Sequence, residues 1–292
     1  MNIKIKNAEA SAEISTRGAE LQSFKNDDGV EYLWQGNPDY WTGRAPVLFP
    51  CVGGLRNGKT IIDGVEYEMK RHGIAKFSEF EGIKLAENKA EFILIQNDET
   101  YKQYPFKFEF KVIYTLNGKT LNTEFVVKSL DEKPMPFALG GHPAFNCPVL
   151  GSDKFEDGII RFSEKETVGC HRVNMDTGLI HFDEVRPFLN NEDSFKLEHS
   201  LFYQDALVFT ELKSKEVTLT STEGKHGVTL SFEQFPMLGI WSALKDGPFI
   251  ALEPWAGCAT CTDESDNFRE KRHMKELNKD EVYSISFDVT IF

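Results

Sequence analysis

The sequence predicts an all-β protein whose antiparallel strands form a sandwich or a barrel, in one domain over residues 1–292. Apolar and polar residues alternate with the two-residue period of a half-buried strand along much of the chain. The 24 phenylalanines favour the same structure, because aromatic side chains pack well on a pleated surface. Strand-like segments recur about every ten to fifteen residues with no amphipathic helix between them, which is typical of antiparallel sheets.

The strand pattern is carried by short segments with turn residues between them. The predicted strands are residues 3–5, 12–14, 60–62, 91–95, 106–114, 121–127, 216–219, 228–232 and 282–292. Asp63-Gly64 and Asn117-Gly118 predict hairpin turns, since these residue types tolerate a positive φ.

Helical signals are weak. Residues 37–41, 98–104 and 264–275 could each form a short helix or a turn, because they are brief or polar. Residues 147–201 are polar and read as loop-rich, so we expect them to elaborate the sheet without forming a second domain.

The charge of the chain bounds its partners. Acidic residues outnumber basic ones by 46 to 33, for a formal net charge of −13. That charge repels nucleic acid and anionic membrane surfaces, so neither is an expected partner. It also argues mildly against a strongly anionic substrate, although a local cluster of Arg and Lys could overrule the average. The sequence leaves open whether the chain forms a homodimer.

The amino-terminal segment and the cysteines bear on localisation. Residues 1–15 alternate in polarity and resemble neither a signal peptide nor a membrane span. Five cysteines, an odd number without framework spacing, are typical of reduced thiols, so we expect a cytoplasmic protein. Cys258 and Cys261 form a lone CxxC, which is a weak signal for zinc or redox chemistry.

A glycine-rich segment carries the first candidate site residues. Residues 49–58 include Arg56, which offers a planar fork of donors, and residues 71–73 include His72, a titratable ring. The glycines permit the close approach of a ligand, but they are equally common in hairpin turns.

Two further segments carry an imidazole and a carboxylate. His142 follows two glycines and precedes a proline, so it is either held rigidly at a cavity edge or satisfied by backbone groups in a turn. Glu253 ends an apolar strand in residues 249–255, where desolvation would raise its pKa towards that of a general base. A surface strand end or a salt bridge is the alternative for Glu253.

Asp205 and several aromatic residues complete the set. Asp205 precedes a strand and could either accept hydrogen bonds from a sugar hydroxyl or cap a turn. Trp241, Trp255 and Phe145 could present flat faces to the C–H side of a pyranose, although tryptophans more often fill a core. The remaining histidines lie in polar stretches and are expected at the surface: His171, His181, His199, His226 and His273.

In this order, the segments resemble the aldose 1-epimerase (galactose mutarotase) family over essentially the whole chain. The matching motifs are Arg56-Asn57, Asp63-Gly64, His72-Gly73, Gly141-His142-Pro143-Ala144-Phe145-Asn146, Gln204-Asp205 and Leu252-Glu253-Pro254. Residues 44–50 (RAPVLFP) and 72–76 (HGIAK) resemble the branch of mutarotase-related proteins encoded beside lactose genes in lactic bacteria. Lys76 and Phe77 stand where the family commonly has Arg and Asp.

The resemblance implies a galactose mutarotase-like β-supersandwich and an isomerase, an aldose 1-epimerase, that interconverts the anomers of an aldohexose without a cofactor. Glu253 would be the general base at the anomeric hydroxyl, and His142 would be the general acid at the ring oxygen. His72 and Arg56 would bind ring oxygen atoms, and Asp205 would orient a hydroxyl.

Three alternatives stay open. One is a β-sandwich binding domain unrelated to sugars, which would place His142 and Glu253 far apart. A mutarotase for hexose 6-phosphates would need a cationic pocket, which Arg44, Arg56, Arg71 and Lys76 could supply. A catalytically silent sugar-binding or regulatory protein would use the same fold without turnover, although the presence of both Glu253 and His142 counts against it.

Overall fold

A computed structural model of the protein describes residues 1–149 and 154–292, and it confirms the all-β prediction. Each predicted strand segment overlaps an observed strand. In chain order the strands are β1 Asn2–Lys6, β2 Ala10–Ser15, β3 Leu21–Asn26, β4 Val47–Leu48, β5 Lys59–Ile62, β6 Val65–Glu68, β7 Glu81–Ala86, β8 Lys89–Ile95, β9 Phe108–Asn117, β10 Thr120–Ser129, β11 Met135–Phe137, β12 Leu139–Gly141, β13 Ala144–Asn146, β14 Gly158–Val173, β15 Ile180–Lys196, β16 Leu207–Phe209, β17 Glu216–Ser221, β18 Gly227–Ser231, β19 Met237–Trp241, β20 Phe249–Ala256, β21 Lys275–Leu277 and β22 Val282–Ile291.

One large antiparallel sheet of 15 strands dominates the described residues. Its strands follow the order β4-β12-β20-β19-β16-β14-β17-β18-β22-β10-β9-β8-β7, with β13 also paired to β20 and β15 to β14. A three-stranded sheet, β1-β2-β3, and two ribbons, β5-β6 and β11-β21, accompany it. Both predicted hairpins are present: Asp63-Gly64 joins β5 to β6, and Gly118 and Lys119 join β9 to β10 directly after Asn117.

Phenylalanines of the central strands fill the core. Buried residues alternate with half-buried ones along β9 and β10, as the two-residue period of a strand requires. Phe49 stacks on Phe110 with ring centroids 4.4 Å apart, and its edge meets Phe108 at 5.2 Å. Aromatic contacts of this kind add to the free energy gained by burying apolar area. The core thus anchors Phe49, the residue at which the glycine-rich segment 49–58 begins.

The expectation that residues 147–201 are mainly loop is wrong. Outside the undescribed residues 150–153, this region contains β14 and β15, which have 16 and 17 residues. Much of β15 is exposed, and register shifts interrupt its pairing with β14, so the two-residue alternation is lost from the sequence. The two strands do belong to the large sheet, which agrees with the prediction that this region elaborates the sheet.

The three segments with weak helical signals contain little helix. Residues 98–104 contain α1 Asp98–Tyr101, which Asn97 caps by accepting the N–H groups of Glu99 and Thr100. Residues 37–41 form a turn, and residues 264–275 contain only the 3-10 turn Phe268–Glu270. Within the described ranges, we find no helix with the length and apolarity that a membrane crossing would need.

Candidate active site

The strand register brings His142 level with Glu253. β12 and β13 pair with the same strand, β20, and His142 lies in the short interruption between them. Antiparallel partners advance in opposite directions, so a residue midway between two register pairs faces the midpoint of their partners. The flanking pairs are Gly140 with Trp255 and Ala144 with Ala251.

Glu253 lies inside β20 and not at its end, contrary to the sequence prediction. Pro254 indicated a strand end because proline lacks an amide donor. The strand nevertheless continues through Trp255 to Ala256, where β12 and β19 still pair with it. Glu253 is therefore a carboxylate in the middle of a strand that is buried along its whole length.

The two side chains meet. His142 Nε2 lies 3.2 Å from Glu253 Oε2, and the side chains are only 8% and 2% exposed. The indole Nε1–H of Trp255 donates to the same carboxyl oxygen at 3.2 Å. An acid and a base are thus in direct contact in a site from which bulk water is largely excluded.

Burial controls the protonation of this pair. It raises the pKa of Glu253 well above the usual carboxyl range; the negative charge of Asp205 adds to that shift, and the Trp255 donor opposes it. Burial also lowers the pKa of His142 to about 3. Both shifts favour the uncharged forms, a protonated carboxyl and a neutral imidazole, so the favoured state of the pair holds one proton and is neutral as a whole.

His72 is fixed beside the pair by Gly53. The His72 amide donates to the Gly53 carbonyl at 2.8 Å, and the Gly53 amide donates to His72 Nδ1 at 3.1 Å. Burial lowers the pKa of His72 well below its usual value, so the ring is neutral and its proton is on Nε2. The His72 and His142 rings meet edge to face with centroids 5.5 Å apart. His72 thus supplies an N–H donor near the acid–base pair.

A cavity of about 310 Å³ opens beside these residues. That volume lies at the lower end of the range for small-molecule sites. Trp41, Trp241 and Trp255 form aromatic walls. Trp41 stacks on the His142 ring at 4.9 Å, and Trp241 meets that ring edge-on at 5.5 Å. The cavity therefore combines flat apolar faces with a small number of polar groups.

Asp205, Arg71 and Lys76 also line the cavity. Asp205 has a φ of 68° just before β16, and its Oδ1 accepts the Ala206 amide at 2.7 Å. Its Oδ2 lies 3.9 Å from Arg71 Nη2, which is too long for a hydrogen bond. A Cβ at Gly178 would lie 2.6 Å from the same Arg71 nitrogen, so glycine there leaves room for the guanidinium.

Five of the six predicted site residues line this one cavity: Glu253, His142, His72, Asp205 and Trp241. Arg56 does not. Its Nε donates to Asp266 at 2.9 Å, and its Nη2 donates to the carbonyls of Cys261 and Glu264 at 3.1 and 2.8 Å. The guanidinium therefore holds the loop at residues 261–266, and the arginine that lines the cavity is Arg71.

Trp41 is the site residue that sequence reasoning missed. It lies in the weak helical segment 37–41, where nothing in the local pattern distinguishes it from a core residue. Its carbonyl accepts the indole N–H of Trp34 at 2.9 Å, which holds the turn against the aromatic wall. Phe145, in contrast, is fully buried in the core, and His171 is buried instead of lying at the surface as expected.

The CxxC lies behind the cavity wall. Cys258 and Cys261 are buried, with sulfur atoms 4.0 Å apart. Across residues 1–149 and 154–292, no group of three or more His, Cys, Asp or Glu side chains is arranged to hold a metal ion. The two thiols pack with Ala259 and Trp255 in a small apolar cluster.

Comparisons with known proteins agree on one family. The family model for aldose 1-epimerase matches residues 1–289. Two curated proteins of Lactococcus lactis subsp. lactis, plasmid and chromosomal LacX, are each 40% identical over 297 residues, covering 100% of this chain and 99% of each relative.

Solved structures share the architecture. A galactose mutarotase related enzyme from Lactobacillus acidophilus superposes with a TM-score of 0.95 at 31% identity, covering 100% of this chain and 97% of that one. A galactose mutarotase-like protein from Lactobacillus casei superposes with a TM-score of 0.92 at 30% identity, covering both chains completely. The predicted galactose mutarotase-like fold is confirmed.

Proposed function

The chain belongs to the aldose 1-epimerase family, and from that premise we propose that it is a mutarotase that interconverts the α and β anomers of an aldohexose. The observation that carries the proposal is the 3.2 Å approach of His142 Nε2 to Glu253 Oε2 at the cavity. Ring opening needs one proton to leave and another to arrive in the same step, and an adjacent base and acid can do both.

The reactive form of the pair is carboxylate and imidazolium. It differs from the neutral form that burial favours by transfer of the one shared proton from Glu253 to His142 across the 3.2 Å contact. Glu253 takes the proton of the anomeric hydroxyl, His142 protonates the ring oxygen, and the bond between C1 and the ring oxygen breaks. Rotation about C1–C2 turns the other face of the aldehyde towards the former ring oxygen. On closure, His142 takes the proton of the attacking hydroxyl, and Glu253 returns a proton to the carbonyl oxygen. Atoms and protons balance over the cycle.

Burial makes the charged form of the pair the less stable one, and ring opening removes its charges. After ring opening, Glu253 is protonated and His142 is neutral, which is the state that desolvation favours for both groups. Proton transfer to and from the sugar therefore discharges the buried pair. Proton transfer by each positioned group contributes roughly 10²–10⁴-fold in rate.

Other cavity residues would hold the sugar. The Nε2–H of His72 can donate to a ring or hydroxyl oxygen, and Asp205 can accept from a hydroxyl. Trp241 and Trp41 offer faces that suit the C–H side of a pyranose. The reaction itself moves no electron and no phosphoryl group, so these side chains suffice. The odd number of cysteines continues to favour a cytoplasmic location.

Polarimetry tests the proposal. Freshly dissolved α-glucose and α-galactose should approach anomeric equilibrium faster in proportion to the concentration of added protein. A folded protein that binds either sugar without accelerating its mutarotation would instead be a silent sugar-binding module, and the proposal would fail.

A further inference from the structure

Lys76 is a cation of the cavity without an anionic partner. Among the described residues, its ammonium has no carboxylate within ion-pair distance; its contact is the Phe77 ring, 5.0 Å from the centroid. Glu20 acts on it only from farther away, and Glu20 is engaged by the amides of Arg44 and Ala45 at 2.9 and 3.0 Å. Burying an ammonium without a paired charge costs free energy.

Arg71 is the second such cation. About half of its side chain is exposed, and its closest described carboxylate oxygen is Asp205 Oδ2 at 3.9 Å. Gly178 leaves space beside it, because a Cβ there would come within 2.6 Å of Nη2. The five donors of a guanidinium are therefore available to a ligand.

The two cations act on the same site. Both lower the pKa values of His72 and His142, in addition to the larger effect of burial. Burial and the charge of Arg71 lower the pKa of Lys76 itself. Since the acid–base pair is neutral as a whole, Arg71 and Lys76 face the single carboxylate of Asp205. The cavity is thus locally cationic in a chain whose net charge is −13.

We propose that the cavity takes aldoses that carry an anionic substituent, a phosphate ester or a carboxylate, which Arg71 and Lys76 bind while the anomeric centre lies against His142 and Glu253. Arg71 can bind two oxygen atoms of such a group with its planar fork, and Lys76 adds a point charge. This inference rests on the proposed function and names its substrate class. The net charge of the chain argued against an anionic substrate, and for this cavity the inference replaces that expectation.

Calorimetric titration tests the inference without depending on turnover. Glucose and galactose are compared with their 6-phosphates and with the corresponding uronates. Either anionic series should bind at least tenfold more tightly than the neutral sugars, and raising the salt concentration should weaken only the anionic ligands. Tight binding of the phosphates alone would identify a phosphate ester, and tight binding of both series would identify a site for anions in general.

Lysine variants give the matched control. Lys76→Met should reduce the preference for anionic sugars about tenfold, and Lys76→Arg should retain it. Lys70→Met removes a lysine that lies over the same Phe77 ring at 4.8 Å but is exposed and outside the cavity lining, so the preference should not change. Neutral sugars binding as tightly as both anionic series would overturn the inference, as would failure of all anionic sugars to bind or an equal effect of the two methionine variants.

Anomer exchange measured by NMR separates the two proposals. Acceleration with neutral sugars alone would leave the mutarotase proposal standing and remove the anionic substrate. Tight binding of anionic sugars without acceleration of any sugar would support the anionic ligand and remove the mutarotase proposal.

Discussion

Trp255 donates its indole N–H to Oε2 of Glu253, two residues earlier on the same strand, at 3.2 Å. Alternate residues of a strand share a face, so the two side chains stand side by side in the cavity. Gly239, paired with Glu253 on β19, makes room, because a Cβ there would lie 2.7 Å from the Trp255 ring. The oxygen that faces His142 is therefore oriented by a second donor, which favours its charged form.

Trp255→Phe should shift the alkaline limit of activity to higher pH. The active pair holds one proton and loses it when Glu253 ionises beside a neutral His142. Removing the donor that stabilises the carboxylate raises the pKa of Glu253 further, so the proton is lost at higher pH. We also expect kcat to fall about tenfold, since a hydrogen bond to a charged group contributes about 1.5–3 kcal/mol.

The measurement is a pH profile of mutarotation, with Trp241→Phe as the control. Trp241 lines the same cavity without a described hydrogen bond to Glu253, so its loss should change binding but leave the alkaline limit in place. An unshifted limit in Trp255→Phe would show that the indole does not tune the base.

Asp205→Asn should shift the alkaline limit of activity to lower pH, opposite to the shift expected for Trp255→Phe. The negative charge of Asp205 contributes to the raised pKa of Glu253, second only to burial. Neutralising it lowers the pKa of Glu253, so the pair loses its proton at lower pH. An alkaline limit that moves to higher pH, as expected for Trp255→Phe, would contradict this assignment.

Glu253→Gln and His142→Asn should each lower kcat at least a hundredfold while the protein remains folded. The two groups act in the same step, so the double variant should be little slower than either single variant. Stopped-flow polarimetry gives the rates, and circular dichroism checks the fold. Near-normal turnover in either single variant would remove that residue from the mechanism.

The sequence predicted the residues of the site better than it predicted the pairing of the strands. His142, Glu253 and His72 could be predicted because unusual local neighbours, glycines or an apolar strand, set them apart. Their convergence depends on β12 and β13 both pairing with β20, a long-range register that no local pattern encodes. Trp41 was missed for the same reason, since its function comes from stacking on a residue about a hundred positions away.

Arg56 shows where residue chemistry alone misleads. An arginine beside glycines suits a ligand, but it suits carbonyl oxygens of a neighbouring loop equally well. Only the position of residues 261–266 decides between the two. The strands β14 and β15 were missed because the buried positions of β14 are irregularly spaced and much of β15 is exposed, so no apolar period marks them.

Arg56→Met should lower the free energy of unfolding by about 1–3 kcal/mol, because two loop carbonyls lose a charged donor. The KM for sugar should stay within about twofold. Arg71→Met provides the contrast: it should raise KM with little effect on stability, since Arg71 has a half-exposed side chain and no strong described partner. Urea unfolding and steady-state kinetics on both variants check this. A raised KM in Arg56→Met would return that residue to the site.

Glu253→Gln should make the protein more stable than the wild type, by a margin that grows with pH. In the unfolded chain Glu253 titrates near 4.5, whereas burial keeps it protonated to higher pH in the folded protein. Between those two pKa values the folded state binds more protons, so wild-type stability falls as pH rises. The slope is at most about 1.4 kcal/mol per pH unit. Glutamine has no such proton to lose. Burial, the largest cause of the lowered pKa of His142, remains in the variant, so that ring is neutral from pH 5 to 9 in both folded proteins and its contribution is the same.

Glu166→Gln is the matched control, because Glu166 is an equally buried carboxylate with a different environment. It accepts the amides of Ser214 and Lys213 at 2.8 and 3.3 Å, and an amide side chain can offer only one acceptor oxygen. That variant should lose about 1–3 kcal/mol. Urea titrations from pH 5 to 9 compare the two variants with the wild type. If Glu253→Gln were less stable than the wild type at pH 8, the carboxyl would be stabilising the fold, and its burial could not be attributed to catalysis.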